Sequence, residues 1–451
     1  MKKLRIVLGD LSYHNRHTRR TGLVPLNIGY IASYVAKKFA GSVELSLHKD
    51  PKAFLDDVMN KKPDIIGLSF YYWNTNLNKE ITARVRGLYG IEPVIVWGGP
   101  SVDSNHSEQT LLFKRFPEVD AYVVNEGELG FAAVVEAVLS NRESIWKAPL
   151  DGVVFNANND LVVGRDVGLS MDLSELPSPF LTGYMDPFLN GDYLPLLQTS
   201  RLCPYQCSFC VSGKNTGKLR AFENDMVKEE MEYLFNHFKG KDHYRLYIAD
   251  ENFGILSRDI EIAKHLLWCS ENIGYPKSIF FYNDKRFTDT SKQLQEILAP
   301  LCTHGVSLAL QTENPEAMKA VHRTNLTSDQ IKSAVQWSSE RDFSITTELI
   351  FGLPMETRDS FVATLNNSVA SGFDSIVCNN LFIVDGIELH RPEERKKYGI
   401  ETKFRPLSTN YGNIGGQFCY ETEEVVVSTD SFDFSDFLEI RWLSLFFNTI
   451  F

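Results

Sequence analysis

Cysteine is scarce in this 451-residue chain: there are seven, and none precedes Cys203. An odd count in so long a sequence, with no signal-peptide pattern ahead of it, excludes a secreted disulfide framework. Long hydrophobic runs are missing too. No stretch approaches the ~20 uncharged apolar residues of a membrane span. The nearest, Phe437 to Phe451, is broken by Glu439 and Arg441 and predicts an amphipathic helix. Positive charge is in deficit, with 46 Lys and Arg against 58 Asp and Glu and a net charge of −12. Nucleic-acid binders concentrate positive charge, so no nucleic-acid partner is expected. The basic run Arg16 to Arg20 is short and sits in one loop. What remains is an ordinary globular composition, long enough for two or three domains.

Three of the seven cysteines stand together in Arg201-Leu-Cys-Pro-Tyr-Gln-Cys-Ser-Phe-Cys210, a C-x₃-C-x₂-C cluster. Three thiolates can each hold one iron of a 4Fe–4S cube and leave the fourth iron without a protein ligand. An open position separates catalytic from closed metal sites. A zinc site would want a fourth ligand at finger-like spacing, and no Cys or His follows closely after Cys210. The expected metal ligands are therefore Cys203, Cys207 and Cys210. Cys269, Cys302, Cys378 and Cys419 are isolated and predicted to be inert. Free thiols beside an oxygen-sensitive cluster predict a reducing compartment, the cytoplasm.

Residues 1–140 alternate strand-like runs (Leu4–Leu8, Val43–Leu47, Asp64–Phe70, Val94–Gly98, Ala121–Asn125) with amphipathic stretches such as Leu26–Phe39 and Asn78–Leu88. Such alternation predicts an α/β, doubly wound parallel sheet, with a ligand beyond the carboxyl ends of its strands. Those ends carry the loop Asp10–Pro25, Ser69-Phe-Tyr-Tyr-Trp-Asn74, Gly98-Gly-Pro100 and Asn125-Glu-Gly-Glu128. A Gly-Gly pair admits close approach to the backbone, but alone it also suits an ordinary turn. Residues 141–190 read as a linker with a hairpin around Asn156–Asp160. Residues 191–389 resume the alternation. Six strand candidates, from Tyr193–Thr199 to Ser375–Leu381, with helices between them, predict a partial (β/α) barrel whose function lies in its carboxyl-end loops. Residues 390–451 are a short carboxy-terminal segment with no clear pattern, expected to be an abbreviated domain or a truncated one.

The cysteine triplet, with Phe209 just before its last member, resembles the signature of the radical S-adenosylmethionine (radical SAM) family. The resemblance implies that the amine and carboxylate of SAM chelate the open iron. An electron from the cluster then cleaves the sulfonium and releases a 5′-deoxyadenosyl radical. Residues 1–140 resemble the Rossmann-like cobalamin-binding domain of cobalamin-dependent radical SAM enzymes. Ser69 and Gly98-Gly99 match its Ser…Gly-Gly pattern, with Ser69 expected on the nucleotide tail, and Leu26–Tyr34 resembles its first helix. One departure matters. Asp10-Leu-Ser-Tyr-His14 stands where that domain has Asp-x-His-x-x-Gly, so neither His14 nor His17 is assigned to cobalt. Tyr71, Tyr72 and Trp73 belong either to the core or over the lower face of the corrin. A methylthiotransferase-like amino-terminal iron–sulfur domain is excluded, because no cysteine precedes Cys203.

Further residues follow from the same resemblance. Asp250 and Glu251 fall where the family receives the amine of SAM, and Gln311 and Glu313 where polar groups meet its methionine or ribose. Arg323 falls where an arginine often meets the carboxylate, and Gly352 in the segment that lines adenine. Taken singly, each suits plain surface or turn chemistry. The implied cofactors are a 4Fe–4S cluster, SAM and cobalamin, with an external electron donor such as flavodoxin or ferredoxin. The implied activity is methylation of an unactivated carbon of a small-molecule substrate. The alternatives are a radical rearrangement or cyclisation without net methyl transfer, or a non-catalytic cobalamin sensor or scaffold.

Overall fold

The computed structural model describes residues 3–15, 22–142, 145–157, 160–169, 171–214, 217–241, 244–302 and 305–450. His17 and the basic run Arg16 to Arg20 lie outside them, as do two residues of the Asn156–Asp160 turn.

The amino-terminal sheet is built from runs of buried aliphatic residues. Its strands are β1 (Leu4–Gly9), β2 (Val43–His48), β3 (Ile65–Ser69), β4 (Val94–Gly98), β5 (Ala121–Val123), β6 (Val153–Ala157) and β7 (Asp160–Val163). Their order is β2-β1-β3-β4-β5-β6-β7, parallel through β5 and antiparallel beyond it. Helices α1 (Leu26–Lys38), α2 (Pro51–Asn60), α3 (Thr75–Tyr89) and α4 (His106–Arg115) connect the parallel strands, and α5 (Gly127–Asn141) leads from β5 to the antiparallel β6. Runs buried on both faces are the mark of a parallel sheet covered by helices. The order reverses between β1 and β3, so the switch-point crevice opens beside Asp10 and Ser69. The expected boundary near residue 140 is corrected here: the 141–190 hairpin is β6–β7, and its ladder to β5 makes it part of this sheet.

The barrel follows. β8 (Leu196–Leu197) leads to β9 (Ser200–Arg201), which pairs antiparallel with β10 (Arg220–Ala221) and closes the base of the cysteine loop. Helix α6 (Asn224–Phe238), strand β11 (Leu246–Ile248), helix α7 (Asp259–Asn272), strand β12 (Ile279–Phe280) and helix α8 (Asp289–Leu298) come next. After them run β13 (Val306–Gln311), α9 (Pro315–Ala320), α10 (Ser328–Ser339), β14 (Ile345–Phe351), α11 (Arg358–Ser371) and β15 (Ser375–Asn380). The parallel strands form two three-stranded sheets, β12-β11-β8 and β13-β14-β15. On β14 the buried residues Ile345, Thr347, Leu349 and Phe351 alternate with half-buried Thr346, Glu348 and Ile350, which turns the second set to the lumen.

The carboxy-terminal segment differs from expectation. After β16 (Phe382–Ile383) and α12 (Pro392–Lys397), a long antiparallel hairpin forms from β17 (Glu401–Ile414) and β18 (Gln417–Ser428). It reaches back to the amino-terminal sheet, where Ile414 and Cys419 join the core around Leu77 and Ile81. Half of β17 is exposed, and β18 buries Cys419, Glu421 and the run Val425–Val427, so neither strand keeps one regular alternation along its length for sequence reading to find. The chain continues into α13 (Phe434–Ile450). Among the described residues no helix is long and apolar enough to cross a membrane.

Candidate active site

A cavity of about 970 Å³ lies where the carboxyl ends of the sheet face the carboxyl end of the barrel. That is at the upper end of the roughly 300–1,000 Å³ typical of small-molecule sites. Its sheet wall contains Asp10, Ser69, Tyr71, Trp73, Gly98 and Gly99. Its barrel wall contains Arg201, Val211, Ser212, Tyr247, Glu251 and Tyr282.

Asp10, Ser69 and Lys49 on the sheet wall satisfy one another, while the Tyr30 hydroxyl, also in the lining, is buried without a partner. Ser69 Oγ donates to Asp10 Oδ1 at 2.5 Å, and Lys49 Nζ pairs with Asp10 Oδ2 at 2.8 Å. Burial alone would raise the Asp10 carboxyl, but the Lys49 ammonium together with hydrogen bonds from Lys49, Ser69 and Asn27 holds the group below the ordinary carboxylate range. Gly99 adopts φ +137°, and a Cβ there would meet the Phe70 carbonyl oxygen at 2.8 Å. The fold itself therefore needs this glycine, whatever occupies the cavity. Tyr71 and Trp73 stack at 4.2 Å, and Tyr72 meets Trp73 edge-on. Of these three aromatics, Trp73 is exposed, so core packing does not account for it. His14 does not line the cavity; its Nδ1 bonds Asp50 at 2.6 Å.

The two walls are joined by charge. Arg201 of β9 pairs with Glu128 at 2.8 Å and Arg220 of β10 with Glu126 at 2.9 Å, while the Arg201 guanidinium lies over the Tyr30 ring. These pairs give Asn125-Glu-Gly-Glu128 a function that its position at a strand end did not disclose. Lys214, from the cysteine loop, donates to the carbonyls of Pro100 (2.6 Å) and Val102 (2.7 Å), and burial lowers its pKa to about 8.

The cysteine loop itself is tightly folded. Cys203 and Cys207 are buried and Cys210 is half-buried. A Cβ at Gly213 would collide with the Cys207 carbonyl. Donors converge on the sulfurs: Asn252 Nδ2 lies 3.2 Å and Lys285 Nζ 4.0 Å from Cys203 Sγ, and Arg323 Nη1 lies 3.8 Å from Cys207 Sγ. Such donors stabilise thiolate rather than thiol, which suits an iron–sulfur cluster. Among the described residues no three His, Cys, Asp or Glu side chains are arranged for a single metal ion. Thiolates spread over a cube stand further apart than ligands of one ion. Close by, Glu251 Oε2, Asn252 Oδ1 and Ser208 Oγ are buried without a hydrogen-bond partner. An unpartnered buried polar atom costs free energy unless something completes it. A buried carboxylate oxygen with no donor fits the ammonium of SAM.

The other expected residues separate. Asp250 accepts from Thr199 N, Thr199 Oγ1 and Ser200 Oγ, each at 2.6 Å, so it secures the strand leading into the cysteine loop; Glu251 is the one that lines the cavity. Gln311 ends β13 with φ +66° and is buried. Glu313 turns away, taking a hydrogen bond from Asn367 of α11 at 2.8 Å in an exposed position. Arg323 stays beside the cluster loop and bonds Asn325 and the Ala309 carbonyl. Gly352 ends β14 with φ +103°, close to Leu381. Asn252, Lys285 and Glu348 were not among the expected residues. Burial raises the Glu348 carboxyl, and Lys285 and Arg323 partly offset it. A lysine five residues beyond a short strand has no spacing signature; only the fold brings it to Cys203.

Comparison with known proteins agrees with this geometry. Residues 197–367 match the model of the Radical SAM superfamily. The cobalamin-dependent radical SAM methyltransferase TokK of Streptomyces tokunonensis is 31% identical over 353 residues, 76% of this chain and 50% of that protein. The 2-(S-pantetheinyl)-carbapenam-3-carboxylate methyltransferase of Streptantibioticus cattleyicolor is 30% identical over 351 residues, 75% of this chain and 50% of the relative. The chain thus spans about half the length of these curated relatives. Among solved structures, the radical S-adenosylmethionine methyltransferase TsrM of Kitasatospora setae, with cobalamin and a 4Fe–4S cluster bound, superposes with a TM-score of 0.64. It is 16% identical, over 90% of this chain and 81% of that one. The cobalamin-dependent S-adenosylmethionine radical enzyme OxsB superposes with a TM-score of 0.60 at 17% identity, over 81% of this chain and 52% of its own. At such identities the likeness is one of fold, and the fold is a Rossmann-like domain followed by a radical SAM barrel. Residues 197–367 thus carry a radical SAM domain, and the chain as a whole is similar to cobalamin-dependent radical SAM enzymes.

Proposed function

We propose that this chain methylates an unactivated carbon of a small metabolite, using a 4Fe–4S cluster, SAM and cobalamin in one cavity. The observation that carries the reading is that single cavity, lined by the Gly98-Gly99 strand end on one side and by the loop after Cys210 on the other. When bound, the cluster supplies the electron that opens the sulfonium of SAM, and cobalamin supplies the methyl group.

The chain's own residues position and enclose. Cys203, Cys207 and Cys210 hold three irons and leave the fourth for SAM. Glu251, with one oxygen unpartnered, receives the ammonium of SAM, and Arg323 beside Cys207 receives its carboxylate. Asp250 keeps Thr199 and Ser200 in register so that the loop begins in the right place. On the sheet wall, Ser69 keeps lone pairs free after donating to Asp10 and takes a hydrogen bond from the nucleotide tail. Tyr71 and Trp73, stacked in the lining, would hold the corrin by ring contact, and His14, committed to Asp50, would leave that contact to them. Tyr247, Phe280 and Tyr282, ring to ring at 5.3–5.4 Å, give the barrel wall an apolar surface that excludes water from the substrate. The two relatives at 30–31% identity are methyltransferases, which favours methyl transfer over rearrangement or cyclisation. An external one-electron donor such as flavodoxin or ferredoxin and a cytoplasmic setting complete the reading.

The test is anaerobic reconstitution followed by turnover with SAM labelled in its methyl group. Label in an organic product, with S-adenosylhomocysteine and 5′-deoxyadenosine formed together, is expected. Conversion of substrate without label would replace methylation by rearrangement or cyclisation. Corrinoid binding without SAM cleavage would leave only a sensor or scaffold.

A further inference from the structure

The aromatic part of the sheet wall is braced from the far end of the sequence. The β17–β18 ladder slips register between Pro406 and Tyr411, where β17 carries more residues than the strand opposite. The extra residues bulge, and Thr409 and Asn410 enter the lining of the cavity. Bulges are a common means of re-aiming side chains beside a site. Asn410 Nδ2 donates to the Trp73 carbonyl at 3.1 Å. In return, Asn15 Nδ2 donates to the carbonyls of Thr409 (2.7 Å) and Tyr411 (3.1 Å), and Asn76 Nδ2 to that of Tyr420 (2.9 Å).

Opposite the bulge stands Glu421, almost wholly buried. It accepts from Asn76 N, Leu77 N and Tyr13 Oη, all at 2.9 Å. Asn76 and Leu77 are in the first turn of α3, whose own N-cap residue, Asn74, makes no capping bond. Asn74 is occupied elsewhere: its Oδ1 accepts from Tyr71 N, and its Nδ2 donates to the Leu11 and Ser69 carbonyls. The helix that begins directly after Tyr71-Tyr-Trp73 is therefore capped by a carboxylate from the hairpin. A carboxylate at this end satisfies orphan N–H groups and complements the helix dipole.

We propose that the β17–β18 hairpin is a clip that fixes Trp73 against the lower face of the corrin, with Asn410 and Glu421 as its positioning residues. The proposal rests on the cobalamin reading above. Asn410 holds the backbone of Trp73 directly. Glu421 anchors the helix start that follows, so the aromatic loop is pinned between two fixed points. Loss of either pin lets Trp73 swing away, opens the lower face to water and weakens the hold on the corrin.

The test uses the full chain, reconstituted with its cluster and titrated with hydroxocobalamin, which is then reduced to cob(II)alamin for electron paramagnetic resonance. Asn410→Asp keeps the size and removes the donor; Asn410→Ala removes both; Glu421→Ala removes the cap. For both Asn410 variants, corrinoid affinity is expected to fall about tenfold, the size of one lost interaction in binding. The cob(II)alamin spectrum is expected to move from an unligated lower face toward a water-ligated one, with iron content unchanged. Unchanged affinity and spectrum in both Asn410 variants would overturn the clip, even if Glu421→Ala fails to fold. A wild-type chain that takes up no corrinoid would overturn the cobalamin reading and the clip with it. Wild-type binding with indifferent variants overturns the clip alone.

Discussion

The two walls of the cavity are built on opposite plans. On the sheet wall, Asp10, Ser69 and Lys49 satisfy each other, and Gly99 is packed against the Phe70 backbone. On the barrel wall, polar atoms are left open: Glu251 Oε2 in the lining, with Asn252 Oδ1 and Ser208 Oγ next to the cysteines. A wall whose polar groups are largely committed, the Tyr30 hydroxyl and the remaining Ser69 lone pairs excepted, recognises mainly by shape. A wall with unpaired buried groups costs stability until a ligand completes it. The first suits a large, flat, preformed cofactor, and the second suits small charged ligands at a reactive metal.

This contrast breaks first at the cysteines. Cys207→Ala should remove the cluster, taking iron from about four per chain to near zero, while hydroxocobalamin binding survives. Iron analysis and an absorbance titration on the same sample decide it; joint loss would mean that the walls are not separable.

The next largest effect concerns Glu230 of α6, fully buried behind the barrel wall with neither carboxyl oxygen in hydrogen-bond geometry. Burial lifts its pKa to about 7, and the nearby Ser178 hydroxyl offsets this only weakly. The folded state therefore holds a proton that the unfolded chain releases above its ordinary pKa of 4.5. Stability conferred by the folded form is full below that value, falls as pH rises to about 7, and is level above. Glu230→Gln should flatten that fall, gaining up to roughly 3 kcal/mol at pH 8 and little at pH 5. Urea melts at the two pH values measure it, and an equal change at both would refute the assignment.

On the sheet side, Gly99→Ala tests packing rather than polarity. Its Cβ meets Phe70 O at 2.8 Å in a backbone conformation that L-residues avoid. A cost of about 1–3 kcal/mol is expected, with weakened corrinoid binding and a normal iron content. Unaltered melting would show that this wall yields more readily than its contacts imply.

The finest effect is at Lys285, 4.0 Å from Cys203 Sγ. Lys285→Met should make the cluster harder to reduce, shifting its midpoint on the order of 40 mV more negative, about one hydrogen bond's worth in a one-electron couple. A redox titration followed by electron paramagnetic resonance checks it. No shift would mean the ammonium is too well screened to matter.

How much of this was legible depended on the range of the interactions. The cysteine triplet is local, and the β1–β5 strands announce themselves by apolar runs, so the candidate cluster ligands and the fold class could be read directly. Asp250 and Glu251 were found as a pair, but which one faces the cavity depends on Thr199 and Ser200, some fifty residues earlier. Glu313 sat at the right strand end yet turned to Asn367, because a side chain's direction at the end of a strand is not fixed by its position. The β17–β18 hairpin was missed altogether. Its ties to the cavity wall are single hydrogen bonds to residues more than 300 positions away, and its strands keep no regular alternation along their length.

The small β9–β10 ladder closes the cysteine loop at its base, and Lys214 ties the loop's far side to the Pro100 and Val102 carbonyls. Neither restraint involves a cysteine. If oxygen strips the irons away, the scaffold around the vacated thiols keeps its shape. Damage to the centre is then repairable in place: fresh iron and sulfide meet a waiting mould, and the polypeptide need not be unfolded or made anew.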